Sequence, residues 1–400
     1  MRFLPAAVTP IEWKDLFQAM LTFRKLGLDE FEQAMCSYLG VKKAYTFTSF
    51  MRAIYVCLIS LKRIDPRQEV IIPRFSCPTF AHAVIAAGLK IKYCDINPDT
   101  LSFDMDYLSK MDLRNVLALI CVNHFGLANP MAELVDFCKS HGIYLIEDLG
   151  YSLGTEYEGK KLGSFGDFSV LNFQEGKAIP IGGGMVTTNH DGILEKVLPE
   201  YRKQGKPNVL IMLGYKLFSN PHLYFLLMKS SQFLNLNLRK RFSMEDTIRT
   251  TCQEFDFRFE PSTAFHAISN FQAALGCLIL SKLDQHMRAR EKNAQLLASG
   301  LAQCKNVQLI KKEPGVSKIH FIRFPILVKP ELRHKVLRRL LDKGIEASPM
   351  YCEHGMRINA EDFPGAKKVA DGILTLPCHP GLNVMDLKKI PVVIREAEGE

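Results

Sequence analysis

The sequence lacks the cysteine patterns that would assign it to a metal-binding, redox or disulfide-rich class. Its 11 cysteines are scattered over 400 residues, and no two are separated by only two residues. That spacing excludes C-x-x-C motifs, and a disulfide scaffold would need a far higher share of cysteine. We expect buried free thiols that pack as small hydrophobes, no metal site, and a reducing, cytoplasmic location.

Long apolar runs are also missing. No uncharged apolar run reaches the roughly 18 residues that a spanning helix needs. Residues 1–16 contain two prolines and acidic side chains, which does not fit a signal peptide. The chain has no internal repeats, no low-complexity segment and no Walker A loop. These absences leave a globular protein that does not cross a membrane.

Positive charge is only mildly in excess. The 51 Lys and Arg exceed the 42 Asp and Glu, which gives a net charge of +9. A nucleic-acid partner would require a basic patch on a known module, and the only dense cluster is Arg239, Lys240 and Arg241. We therefore predict no nucleic-acid partner. Phosphates or nucleotide-linked small molecules suit such a balance as well.

What is present points to an α/β fold. Hydrophobic residues make up 47% of the chain and charged residues 23%, and the length suits two domains. From Lys43 to Asn189, short apolar strands alternate with helical segments, which predicts βαβ units and a mostly parallel sheet flanked by helices. The remainder predicts a smaller α+β domain. We place the division at residues 1–250 and 251–400.

An apolar insertion, at about residues 205–245, interrupts this alternation. Residues 207–242 form apolar stretches that are broken at Asn220-Pro221. The composition favours a helical hairpin that packs on the core or at a subunit interface, because apolar helices usually pack on protein. The alternative is an interfacial membrane patch with Arg239, Lys240 and Arg241 at its edge.

Three local features carry residues suited to chemistry. Glu147 and Asp148 end a strand, where ligands of parallel sheets bind, and only one of them can face a ligand because neighbouring side chains alternate. Lys177 lies between an apolar strand and a glycine triplet, and a lysine among apolar residues makes a usable amine nucleophile. Thr48 and Ser49 stand where a strand turns into a helix, which is a site for anions.

Each feature alone has a simpler interpretation. The acids could cap the next helix, the lysine could be a solvated loop residue, and Ser49 could be a plain N-cap. Together they form the set that pyridoxal 5'-phosphate (PLP) requires, namely a phosphate cradle, an acid for the pyridine nitrogen and a lysine.

With these features the chain resembles the DegT/DnrJ/EryC1/StrS sugar aminotransferases of PLP fold type I. The resemblance runs from about residue 30 to 395 and includes "GIYLIEDLGYSLGTEYEGKKLGSFGDFSV", "GKAIPIGGGMVTTN" and "SNFQAALGCLILSKLD". It implies a homodimer with a shared active site. It also implies that Lys177 is the Schiff-base lysine and shuttles a proton, and that Asp148 pairs with the pyridine nitrogen. The phosphate turn would consist of Ser49 with the backbone of Phe50 and Met51.

Several positions depart from the family pattern. Tyr151 stands where a glutamine is usual, and its hydroxyl can still bind the cofactor's phenolic oxygen. Asn172 replaces a serine. Cys77 replaces the aromatic residue that stacks on the cofactor, so that Phe75 or Phe80 would have to substitute.

The phosphate site departs as well. Arg52 follows the phosphate turn and either contributes charge to it or lies on the outer face of its helix. The Asn-x-Arg that a partner subunit lends to the site is replaced by Phe265, His266 and Ala267.

The resemblance implies an aminotransferase that moves an amino group from glutamate to a keto sugar, which we expect to be nucleotide-linked. Two alternatives stay open. One is a degenerate member that binds a sugar nucleotide or a protein partner without turnover, as the altered phosphate turn would suggest. The other is a PLP-dependent sugar dehydratase, although relatives of that kind replace the lysine with histidine.

Overall fold

The computed structural model describes residues 2–199, 202–233, 263–351 and 359–399. Its helices are α1 Trp13–Thr22, α2 Leu28–Leu39, α3 Phe50–Lys62, α4 Pro78–Ala86, α5 Met105–Ser109, α6 Met131–Ser140, α7 Val209–Phe218, α8 Pro221–Phe233, α9 Asn270–Leu280, α10 Leu283–Leu301, α11 Pro330–Asp342, α12 Pro364–Gly372 and α13 Val384–Glu398. Its strands are β1 Lys43–Phe47, β2 Glu69–Pro73, β3 Lys90–Cys94, β4 Val116–Val122, β5 Tyr144–Asp148, β6 Glu156–Tyr157, β7 Lys160–Lys161, β8 Phe168–Asn172, β9 Gly184–Thr188, β10 Val307–Leu309, β11 Val316–Lys318, β12 Arg323–Val328 and β13 Ile373–Pro377.

A seven-stranded sheet forms the centre of the molecule, in the order β1-β9-β8-β5-β4-β2-β3. The run from β8 to β3 is parallel, and β9 and β1 complete one side in antiparallel pairing. Every residue of β4 is buried, which its continuous apolar sequence predicts for a strand covered on both faces. The predicted α/β fold, with a mostly parallel central sheet flanked by helices, is confirmed.

The C-terminal part forms a smaller α+β unit around the antiparallel sheet β10-β12-β13. Helices α10, α11 and α13 supply the other side of its core. The N-terminal segment at residues 2–9, which we call the strap, joins this core, because Leu4 is buried in it and pairs with Ile345. The boundary near residue 250 lies outside the described residues, so the division at 250 stays a prediction.

The apolar insertion contains α7 and α8, separated by Ser219 and Asn220. The Asn220 side chain accepts a hydrogen bond from the backbone N–H of His222 at 2.9 Å, which caps α8. The two helices match the predicted hairpin as far as residue 233. The segment with Arg239, Lys240 and Arg241 lies outside the described residues. Across the described part of the chain, the structure contains no helix that combines the length and the apolar character needed to span a bilayer.

Candidate active site

The candidate site lies where the parallel strands of the central sheet end. Strand β5 ends at Asp148 and its parallel neighbour β8 ends at Asn172, so both residues lie at the same edge of the sheet. A methyl group placed on Gly150 would lie 3.0 Å from Asp148 Oδ1 and 3.4 Å from Asn172 Cβ. Gly150 therefore allows the two strand ends to approach each other closely.

Glu147 and Asp148 have different surroundings, although they are neighbours. The Glu147 carboxylate accepts three backbone hydrogen bonds, from Gly163 at 2.7 Å, Phe165 at 2.8 Å and Gly166 at 2.7 Å. Burial raises the pKa of Glu147, and these donors oppose that shift. Glu147 thus holds the loop before β8 in place, and it does not face the site.

Asp148 is 4% exposed, and its Oδ1 accepts a hydrogen bond from the backbone N–H of Gly150 at 2.8 Å. Burial raises the pKa of Asp148 from 3.8 to about 6, while the Gly150 N–H and the positive charge of Lys177 oppose this rise. No ion pair to Asp148 is found within the described ranges. Asp148 is therefore a buried acid that still lacks a cationic hydrogen-bond donor.

Lys177 lies in the loop between β8 and β9, beside Asp148 and Tyr151. Its Nζ atom is 3.2 Å from the centre of the Tyr151 ring. The loop is fixed at its start, because Asn172 Oδ1 accepts a hydrogen bond from Gln174 N at 2.9 Å. The structure thus brings Lys177, Asp148, Tyr151 and Asn172 together, and in this structure Asn172 supports the lysine loop.

The turn from β1 into α3 is a helix N-terminus, which is a type of site that suits an anion. Ser49 is the N-cap of α3, and its Oγ accepts a hydrogen bond from Arg52 N at 3.3 Å. The side chains of Phe50 and Met51 are buried in the core, so only their backbone N–H groups can serve a ligand. A methyl group on Gly184 would lie 2.7 Å from Phe50 Cα, and Gly184 pairs with Asn172 across β8 and β9. This glycine brings the cradle against the strand that leads to Lys177.

Arg52 lies at this turn and does not point away on the outer face of α3. Its guanidinium donates hydrogen bonds to Thr48 Oγ1 and, at 2.7 Å, to Thr263 Oγ1. The backbone of Thr48 in turn donates to His266 O at 2.9 Å. The segment that replaces the family's Asn-x-Arg therefore contacts the phosphate turn of its own chain, and Arg52 brings a positive charge to that turn.

A tyrosine that sequence reasoning missed closes the other side of the site. Tyr351 is half-buried with its side chain close to that of Tyr151, and burial raises the pKa of its hydroxyl well above the ordinary value. Its φ of 60° is uncommon for a bulky residue, and such backbone tends to occur at functional sites. No sequence motif marks this position.

The aromatic substitutes expected near Cys77 separate in the structure. Phe75 packs 5.5 Å from the Tyr351 ring, whereas Phe80 packs against Phe50 in the core at 5.6 Å. Cys77 precedes α4 and lies near Tyr351. Of the two phenylalanines, Phe75 adjoins the site.

Comparison with known proteins identifies the architecture. The family model described as the DegT/DnrJ/EryC1/StrS aminotransferase family matches residues 22–217 and 255–395. The chain belongs to the DegT/DnrJ/EryC1/StrS aminotransferase family. It is therefore an aminotransferase, and the predicted cofactor is confirmed, because enzymes of this family depend on PLP.

Individual members of the DegT/DnrJ/EryC1/StrS family are similar over most of their length. The chain is 33% identical over 374 residues to a GDP-perosamine synthase of Vibrio cholerae, covering 91% of this chain and 88% of the relative. It is 23% identical to a dTDP-4-dehydro-2,3,6-trideoxy-D-glucose 4-aminotransferase of Saccharopolyspora spinosa, covering 90% and 86%. The solved structure of Helicobacter pylori PseC, an aminotransferase involved in the biosynthesis of pseudoaminic acid, shares the fold. It has a TM-score of 0.76, 21% identity and full coverage of both chains.

A network behind Lys177 adds further residues to this family site. Thr9 Oγ1 donates a hydrogen bond to Lys177 O at 2.6 Å, and the buried Arg290 donates to Thr9 Oγ1 at 2.7 Å. Tyr215 of α7 binds the backbone N–H of Thr9 at 2.9 Å and its carbonyl oxygen at 3.1 Å. Thr9 and Arg290 are more than 100 positions away from Lys177, and Tyr215 lies on a helix of the apolar insertion, so no local pattern predicts these contacts.

The residues present fit PLP. In the described part of the chain no cationic group donates a hydrogen bond to the buried acid Asp148, and a protonated pyridine nitrogen is such a donor. The Ser49 turn offers a helix N-terminus with an arginine beside it, which suits a phosphate. Lys177 supplies the amine. The pyridine nitrogen, the phosphate and the aldehyde of the cofactor thus each have a chemically matched partner.

Proposed function

We propose that this aminotransferase transfers the amino group of glutamate to the carbonyl of a nucleotide-linked keto sugar. The observation that carries the proposal is the position of Lys177 next to Asp148 and Tyr151 at the ends of β5 and β8. The names of relatives support the substrate class, since they include enzymes of GDP-, dTDP- and UDP-linked sugars. Because those nucleotides differ, they support the class and no single nucleotide.

The side chains have distinct roles in this proposal. PLP, when bound, supplies an electron sink that lets an amino group move between two carbon skeletons. The amine of Lys177 anchors the cofactor covalently, and when released it carries the proton to and from the reacting carbon. Asp148 holds the proton on the pyridine nitrogen. The Tyr151 hydroxyl, which lies close to Tyr351, binds the phenolic oxygen.

The phosphate of the cofactor would be held within one chain. The Ser49 hydroxyl and the N–H groups of Phe50 and Met51 face it, and Arg52 supplies the charge that the family draws from Asn-x-Arg. Asn172 holds the lysine loop, and Cys77 borders the cofactor without stacking on it. The homodimer with a shared active site stays a prediction, which sedimentation velocity on the purified chain would test.

A product assay tests the function directly. The purified chain with PLP and glutamate should release 2-oxoglutarate and convert a keto sugar nucleotide to an amino sugar, both detected by mass spectrometry. GDP-, dTDP- and UDP-linked keto sugars should be compared in parallel. A deoxygenated sugar would favour the dehydratase alternative, and bound PLP with no release of 2-oxoglutarate would favour the scaffold alternative.

A further inference from the structure

The outer faces of α1 and α7 form an exposed apolar surface. On α1, positions 13, 17, 20 and 21 recur at the spacing that places side chains on one helix face. Trp13 is 54% exposed, Phe17 64% and Leu21 68%, while Leu210 of α7 is 82% exposed. We call this surface the α1–α7 face; its members are Trp13, Phe17, Met20, Leu21, Leu210, Ile211, Leu217 and Phe218.

The core does not require these side chains. On α1, the opposite face carries Leu16 and Ala19, which are buried against the domain core. On α7, Met212 is fully buried and Tyr215 binds Thr9. Both helices are therefore apolar on two faces, although a helix at a protein surface normally presents polar residues outward. The outer faces call for a separate explanation.

A groove joins the two helices. It has a volume of about 380 Å³ and lies between Met20 and Phe23 at the end of α1 and Pro207 and Val209 at the start of α7. Its far side is formed by residues 269–271. The groove thus connects the end of α1 to the start of α7, and exposed apolar side chains recur on α8 at Leu223 and Leu226.

Positive charges border this surface. Arg24 and Lys25 follow α1 and Lys203 and Lys206 precede α7, so they flank the groove, and all four are exposed. The sequence contains no Asp or Glu from residue 201 to residue 244. A surface that is apolar in its centre and cationic at its border matches the interface of an anionic bilayer.

The acids nearest to α1 do not cancel this charge. Asp15 is buried and pairs with Lys282 at 2.6 Å. Glu12 pairs with Lys282 at 3.1 Å and with Lys14 at 2.7 Å. At the start of α2, Asp29 and Glu30 are two exposed acids, and they are fewer than the four exposed basic residues that flank the groove. The net charge around the groove stays positive.

We propose that the α1–α7 face docks on the surface of an anionic lipid membrane. A second copy of the chain is the less favourable occupant, because a two-fold contact would place the same cationic border against itself. Spanning is not involved, because α7 has 10 residues and a spanning helix needs about 20. The apolar side chains would enter the boundary between headgroups and acyl chains, while the lysines and arginines would bind lipid phosphates.

The comparison with the family supports a role that is separate from catalysis. Residues 1–21 and 218–254 lie outside the two matched segments, and they include nearly all of α1 and α8. The side chains proposed to contact the cofactor, including Ser49, Asp148 and Lys177, lie in the matched segments, and none of the exposed side chains of the α1–α7 face is among them. Docking and turnover can therefore be measured independently. Failure of one proposal leaves the other standing.

Trp13 offers a direct probe, because it is the only tryptophan in the chain. The purified full-length protein should be mixed with vesicles of phosphatidylcholine alone or of phosphatidylcholine with phosphatidylglycerol. We expect a blue shift of tryptophan emission, quenching by brominated acyl chains and flotation with the anionic vesicles. These signals should weaken at high salt, since salt screens the lysines and arginines.

Matched variants distinguish docking by the α1–α7 face from non-specific hydrophobic adsorption to lipid. Leu21→Ser with Leu210→Ser should lower the bound fraction at least about tenfold, because two exposed leucines no longer enter the lipid. Val384→Ser with Met385→Ser removes two exposed apolar side chains of α13 and should leave binding unchanged. Circular dichroism should show that both variants are folded.

Three outcomes would overturn the proposal. One is the absence of any emission shift or flotation with anionic vesicles. Another is an equal loss of binding in the α13 control. The third is a blue shift that grows with protein concentration in the absence of lipid, which would show that a second copy covers the face.

Discussion

The sheet edge at Asp148 and the outer faces of α1 and α7 both depart from the usual distribution of polar and apolar residues, in opposite directions. At the first, a carboxylate is buried without a cationic hydrogen-bond donor among the described residues. At the second, Leu210 and its neighbours are left in water. Each arrangement costs free energy that a molecule outside the chain would recover. The comparison shows that both kinds of departure can locate a binding site.

The largest expected effect is at the polar site. Lys177→Ala should lower the rate of 2-oxoglutarate formation by about 10²- to 10⁴-fold, because the amine that moves the proton is lost. The absorbance band of covalently held PLP should disappear. Lys160→Ala, in the exposed strand β7, should change neither. A variant at Lys177 that retains both band and rate would remove this residue from the mechanism.

Glu147→Gln should reduce the free energy of unfolding by roughly 1–3 kcal/mol, because the new amide NH₂ would face a backbone N–H donor in a buried place. Urea titration followed by circular dichroism measures this loss. The same substitution should leave the PLP absorbance band in place once the protein is folded. Unchanged stability would mean that the loop at residues 163–166 is held by other contacts.

Asp148→Asn, in contrast to Glu147→Gln, should make the cofactor-free protein more stable than the wild type at neutral pH. The pKa of Asp148 is raised from 3.8 to about 6 in the folded protein, so the folded state binds the proton more tightly than the unfolded state. Stability of the cofactor-free wild type should therefore fall as the pH rises from about 4 to about 6. The pKa difference between 3.8 and about 6 corresponds to a loss of at most about 3 kcal/mol in the free energy of unfolding of the wild type. The asparagine side chain does not titrate, so the variant should not show this loss.

Thermal unfolding from pH 4 to pH 7 measures this difference between wild type and Asp148→Asn. Added PLP should reduce the advantage of the variant, because a cationic pyridine nitrogen would stabilise the carboxylate. An equal pH dependence of the two proteins would contradict the assigned environment of Asp148.

The smallest effect is expected on the apolar surface. Leu210→Ser should change the free energy of unfolding by no more than about 0.5 kcal/mol, since the side chain is 82% exposed. Met212→Ser, two positions along the same helix but fully buried, should cost about 2–5 kcal/mol. Urea midpoints of the two variants test the contrast. A large loss at Leu210 would show that the protein itself covers this face.

The sequence predicted those parts of the molecule that depend on local pattern. The continuous apolar run of β4 indicated a sheet covered on both faces, and the order of Ser49, Asp148 and Lys177 along the chain indicated one edge of that sheet. Alternation along β5 required Glu147 and Asp148 to point in opposite directions. The side that each faces was decided by the loop at residues 163–166, whose backbone N–H groups carry no sequence signal.

Contacts between distant segments could not be predicted. Thr9, Arg290 and Tyr351 reach the site from irregular chain or from a remote helix, and periodicity gives no information on such partners. The exposure of α7 could not be predicted either, because an apolar helix has the same composition whether its second face contacts protein, lipid or water. Phe80 was placed near the cofactor by position alone, whereas the packing of α4 against α3 directs it into the core.

The hydrogen bond from Thr9 to Lys177 has a consequence for the order in which the enzyme assembles. The strap at residues 2–9 is synthesised well before its partners Lys177, Arg290 and Ile345. The strap can complete these contacts only after Ile345 has been synthesised, and contacts of such long sequence separation form late in folding. The carbonyl of the reactive lysine is secured only then, so a truncated or stalled chain would carry every catalytic side chain and still lack a fixed lysine loop.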